Sequence, residues 1–81
     1  MLGKINPAVD TVTIAYKLNE VSSAYLMIVG SYGTTGTSSN YILDLNSSET
    51  NIDLSNYSNG LYTVALVCNG QIVDAKNLLK Q

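Results

Sequence analysis

Apolar residues in this chain recur at every second position, in short runs bounded by Gly, Asn, Ser and Pro, and no stretch sustains the 3.6-residue period of a helix. In segment 11–18, Val12, Ile14, Tyr16 and Leu18 fall on one face, with Thr11, Thr13, Ala15 and Lys17 on the other. Side chains alternate across a strand, so this pattern predicts a strand with one buried and one wet side. Pro7 has no amide donor and is expected just ahead of that strand. Ala24–Val29 is a continuous apolar run of strand length. Tyr41–Leu45, with Tyr41, Leu43 and Leu45 on one side, and Asn51–Leu54 are two further short strands.

The segment Leu61–Cys68 is dense in β-branched and aromatic residues and is the strongest strand in the chain. It follows a corner at 55–60, where Asn59-Gly60 can supply positive φ. Asn69-Gly70 is a type I′ hairpin signal, and Gln71–Lys80 is the partner strand. The adjacent pairs Ile72-Val73 and Leu78-Leu79 break alternation there and predict a bulge or change of face. Gly30–Asn40, rich in glycine and hydroxyls, is expected to be loop with a ragged edge strand around Thr34–Thr37. Six or seven short strands with turn signals every 8–12 residues or so predict an all-β antiparallel sandwich, a single domain over residues 1–81.

Composition narrows the function. Four lysines against six acids give a net charge of −2, which excludes the cation cluster that a phosphate backbone requires. The chain has no His, so its many hydroxyls have no imidazole base, and no catalytic residue is assigned. Asp10, Asp44, Asp53 and Asp74 are scattered and lack calcium-loop spacing, so they are read as turn or solvent-facing acids, with no metal and no cofactor. The lone cysteine, Cys68, cannot form an internal disulfide and is expected to be a small buried hydrophobe. No run approaches the roughly 18 apolar residues of a spanning helix. The start of the chain lacks a secretory apolar region, so an exported protein would carry its targeting signal on a longer precursor.

Gly60-Leu61-Tyr62 at the head of the strongest strand resembles the tyrosine corner of immunoglobulin-like sandwiches, with Tyr62, Val64 and Leu66 facing the core. From end to end the chain resembles the C-terminal sorting domain of the type IX (Por) secretion system, type A, of Bacteroidota. Asn6-Pro7-Ala8 followed by Asp10, Val12 and Ile14 is similar to the family's opening. Leu26 and Ile28 before Gly33 are similar to its second strand and turn. Asn51-Ile52-Asp53-Leu54 with Gly60-Leu61-Tyr62 is similar to its most recognisable stretch, and Asn69-Gly70 with Lys76–Lys80 to its final hairpin.

The resemblance implies a non-catalytic sorting and anchoring module, linked to an upstream cargo. It would be read by outer-membrane secretion machinery and in some members released by a surface sortase, passing through the periplasm to the cell surface. Recognition would fall on the last hairpin, at Gly60, Tyr62, Lys76, Leu78, Leu79 and Lys80. The terminal segment, including Lys76 and Lys80, is expected to be wet. An alternative is an adhesive or carbohydrate-associated module, or a spacer, of a surface protein. It would use exposed tyrosines such as Tyr25 or Tyr41, with Tyr25 and Met27 pointing outward.

Overall fold

The computed structural model describes residues 1–7, 10–30 and 38–81. Seven strands follow in order: β1 (Leu2–Pro7), β2 (Thr11–Tyr16), β3 (Ala24–Gly30), β4 (Ser38–Ile42), β5 (Glu49–Asp53), β6 (Gly60–Cys68) and β7 (Gln71–Lys80). No helix occurs among the described residues. The strands form two antiparallel sheets, ordered β1-β2-β5 and β4-β3-β6-β7. This is an immunoglobulin-like sandwich in which the fourth strand joins the sheet of the third, sixth and seventh.

The period-two reading sets the core. Val12, Ile14 and Tyr16 from β2, Leu26 and Ile28 from β3, and Tyr62, Val64 and Leu66 from β6 meet between the sheets at 4 % exposure or less. Ile52, Leu54 and Leu78 complete the layer, and Cys68 is buried within it. Asn69 (φ 51°) and Gly70 (φ 82°) make the β6–β7 turn, the paired positive φ that a type I′ hairpin needs. The Asn69 side chain does more than turn the chain. Its Oδ1 accepts from Ser22 N–H and Ser22 Oγ, both at 2.9 Å, and so pins the β2–β3 crossover to the hairpin.

Pro7 stands ahead of β2, as expected, and also closes a further strand, β1, where it pairs with Val12. Strand β1 itself escapes a period-two reading because an irregularity between Leu2 and Ile5 sets their core-facing positions three residues apart. The fourth strand is Ser38–Ile42 rather than 41–45. Leu43 is buried, but Leu45 is 41 % exposed. The chain leaves the sheet there because Asp44 accepts from Asn46 N–H through Oδ1 (2.8 Å) and from Ser47 N–H through its carbonyl (3.2 Å), an Asx-type turn. The edge strand expected around Thr34–Thr37 lies outside the described residues.

Candidate functional site

Among the described residues strand β7 pairs only with β6 and is the edge of the four-stranded sheet. The expected bulge is present: Leu66 opposes Asp74 and Val67 opposes Ile72, leaving Val73 as the extra residue. Beyond that bulge, Asp74, Lys76, Leu78 and Lys80 stand opposite Leu66, Val64, Tyr62 and Gly60, on the core-facing side of the strand. Only Leu78 completes the apolar layer, at 2 % exposure. The three charged side chains reach across to the other sheet.

Asp74 Oδ2 accepts the Leu2 N–H at 2.8 Å, and Lys76 Nζ donates to the Gly3 carbonyl at 3.2 Å. These are backbone groups of β1, the edge of the three-stranded sheet. Lys80 Nζ lies 3.8 Å from Asp10 Oδ1, ahead of β2, and donates to Asn59 Oδ1 at 3.4 Å. The first and last strands, edges of different sheets, are thus closed into a seam by side chains of β7. The Leu2 N–H holds the Asp74 carboxyl below the usual aspartate range, assisted by the Ala75 N–H and the Lys76 charge. Charged side chains turned inward on an edge strand also make that edge a poor template for indiscriminate pairing.

The hairpin is anchored at its other end by Tyr62. Its ring is fully buried, and its hydroxyl donates to the Ser58 carbonyl at 2.5 Å, four residues upstream. This is the geometry of a tyrosine corner. Tyr57 packs against the same ring edge-on, with centroids 5.3 Å apart at 70°. On the side of the sandwich opposite the seam, the Tyr57 hydroxyl is bonded to that of Tyr41. Burial, then the Tyr57 bond, pushes the Tyr41 phenol up to about 12.

The six residues singled out from the sequence therefore divide by accessibility. Tyr62 and Leu78 are buried, Gly60 and Lys80 half-buried, and Lys76 and Leu79 exposed. Lys80 corrects the expectation of a wholly wet terminus, since only 12 % of its side chain is exposed. Sequence reasoning missed Asp74 as the partner of β1. Its signal was a lone acid at a core-facing position of an edge strand, legible only once the bulge fixes the phase.

The remaining candidates are dispersed. Asp44 and Asp53 each accept the backbone N–H two residues on, at 2.8 Å, the turn role expected of them. Among the described residues no three His, Cys, Asp or Glu side chains gather into a metal site. Tyr16 sends its hydroxyl to the Asp44 carbonyl at 2.8 Å from inside the core. Tyr25 alone of the described tyrosines sits on the outward face of the four-stranded sheet. The described tyrosines do not form one stacking platform.

Residues 6–81 match the model of a family described as the secretion system C-terminal sorting domain. No curated protein and no solved structure matches the chain.

Proposed function

The chain belongs to the family of secretion-system C-terminal sorting domains, and on that footing we propose that it works as the non-catalytic sorting and anchoring tag of a larger exported cargo. The cargo precedes it in the polypeptide, and the type IX machinery of the outer membrane reads the folded tag and passes the cargo to the cell surface. The observation that carries the proposal is the family match over nearly the whole chain. The described fold supports it physically.

Among the described residues strand β7 is an edge, so a row of its backbone N–H and C=O groups faces away from β6 and is available to an added strand, save the Ala75 N–H, which donates to Asp74 Oδ1 at 2.9 Å. Lys76 and Leu79, at 51 % exposure for the latter, are the members of the proposed set that a receptor can touch. Tyr62 and Leu78 act indirectly, by fixing the strand from beneath. Gly60 and Lys80 lie at its open end, beside Asn59 and Asp10. Bonds from Asp74 and Lys76 to β1 hold the strand to the body of the sandwich, so a receptor meets a folded edge rather than a loose tail.

The test is deletion of Ala75–Gln81 from a cargo fusion in a cell with the type IX system. The cargo is expected to accumulate in the periplasm. Surface display at the undeleted level would refute the role.

A further inference from the structure

The chain contains two Asn-Gly steps, Asn59-Gly60 and Asn69-Gly70, with the same chemistry in opposite surroundings. In such a step the amide nitrogen of the glycine can attack Cγ of the asparagine, because no Cβ on the following residue blocks the approach. The asparagine side chain must first swing until Cγ faces that nitrogen. Whatever fixes the side chain therefore holds back the reaction.

Asn69 is fixed. Its Oδ1 accepts from Ser22 N–H and Ser22 Oγ at 2.9 Å and from Ser23 N–H at 3.3 Å, and its own N–H donates to the Ser23 carbonyl at 3.0 Å. Two of the donors to the side chain are backbone groups of the β2–β3 crossover, which cannot follow the oxygen when it turns. Asn59 is exposed, and among the described residues its side chain is met only by Lys80 Nζ, at 3.4 Å. That donor sits at the tip of a long flexible stem and can move with the oxygen. Its charge also favours the oxyanion that attack creates there. The fold keeps the labile step, because Gly60 has φ 145°, a conformation that strains any residue with a side chain.

We propose that Asn59 is a site of spontaneous deamidation, and that of the two steps it is the one that reacts in the folded chain. The Gly60 nitrogen bonds to Asn59 Cγ and loses its proton, the Cγ–Nδ2 bond breaks, and ammonia leaves from a cyclic imide. Water then opens the ring. Addition at Cγ yields aspartate, and addition at the main-chain carbonyl carbon of residue 59 yields isoaspartate, whose backbone runs through Cβ and Cγ. The net exchange is one water taken up for one ammonia released.

Both products alter the corner from which the last hairpin starts. Tyr62 reaches back across residue 59 to the Ser58 carbonyl, and isoaspartate adds a backbone carbon inside that span. Aspartate places a second carboxylate beside Lys80, which already lies 3.8 Å from Asp10 Oδ1.

Ageing the 81-residue chain at mildly alkaline pH, followed by peptide mapping with isoaspartate detection, tests this. In the folded chain acid should accumulate at residue 59 at least about tenfold faster than at residue 69, equivalent to about 1.4 kcal/mol for the hydrogen bonds that must break at Asn69. In denaturant the two rates should converge, since the steps are then alike. Ser22→Ala removes one donor and should speed the reaction at 69 while leaving 59 unchanged. Chain carrying isoaspartate at position 59 should melt below the unmodified chain. Equal rates at the two sites in the folded chain, or a faster rate at 69, would overturn the proposal. A folded chain that gains acid at neither site, while the denatured chain gains it at both, overturns it equally.

Discussion

Replacing Tyr62 by Phe removes one oxygen from a ring that is otherwise untouched, and so isolates the hydroxyl of the corner. That hydroxyl is 2.5 Å from the Ser58 carbonyl and 3.4 Å from Ser58 Oγ, with the ring wholly buried. Without it the carbonyl loses its short partner beneath the 55–60 loop. A buried acceptor left unsatisfied costs about 1–3 kcal/mol, and because this contact is only partly buried the lower part of that range, about 1–2 kcal/mol, applies. Unfolding entropy near 2.1 cal/mol/K per residue amounts to about 0.17 kcal/mol/K for a chain of this length, so the melting temperature should fall by about 6–12 °C. Calorimetry of Tyr62→Phe beside Ser58→Ala is the assay, since the second variant removes only the distant Oγ and leaves the carbonyl in place. Ser58→Ala should cost less than about 0.5 kcal/mol, as expected for a surface substitution. Equal losses in the two variants, or no loss in Tyr62→Phe, would show that the bond to the backbone is not what holds the corner.

Other consequences can be checked in the same way. Asn69→Gly keeps a residue able to adopt φ 51° but removes the acceptor shared by Ser22 and Ser23, so chemical denaturation should show a loss of about 1 kcal/mol. Tyr41 titrates at about 12 in the folded chain and near 10 unfolded. Its contribution to stability is therefore complete below pH 10 and is lost as the pH rises from 10 towards 12; absorbance titration should find this phenol shifted, and Tyr57→Phe should bring it down. Asp74 is depressed by the Leu2 N–H, so its contribution is present above the ordinary aspartate range and disappears as the pH falls through its lower folded value. In Asp74→Asn that acid-side loss should be smaller, and hydrogen exchange at Leu2 should be faster.

What the sequence makes legible is whatever depends on period two and on turn chemistry. Val12, Ile14 and Tyr16 face inward because alternate side chains share a face and one face must leave water. Asn69-Gly70 turns the chain because its φ requirements are local. Where the outcome depends on a partner distant in sequence, the residues alone are mute. Leu2 and Ile5 show no alternation because an irregularity in β1 separates them by three, and only Tyr16 and Ile14 across the ladder reveal that both face the core. Leu45 alternates correctly with Leu43 and yet is exposed, because the turn at Asp44 takes the chain out of the sheet. Of the proposed recognition set, Tyr62 and Leu78 carry the apolar pattern that announces burial, whereas the engagement of Lys80 with Asp10 and Asn59 joins residues too far apart for spacing to suggest.

On the proposed function, strand β7 has two demands to satisfy that pull in opposite directions. A strand that is to be read by a receptor has to keep an open edge, whereas an edge strand, laddered on one side only, needs other contacts to hold it to the body of the fold. Charge placement on β7 meets both. Because Asp74, Lys76 and Lys80 face inward, the strand is fastened to β1 and to Asp10 by side chains rather than by a second ladder of backbone bonds, and of its own backbone groups the Ala75 N–H is engaged by Asp74. Had the same contacts been made by extending the β6–β7 ladder to another strand, the edge would have been covered. The bulge at Val73 shifts the phase so that charged positions after it fall on the seam while Leu79 stays outside. Paired in strict alternation instead, with Val73 opposite Leu66, the strand would turn Asp74, Lys76 and Lys80 outward and Leu79 inward. The irregularity that obscures β7 in the sequence is therefore what allows it to be both anchored and accessible.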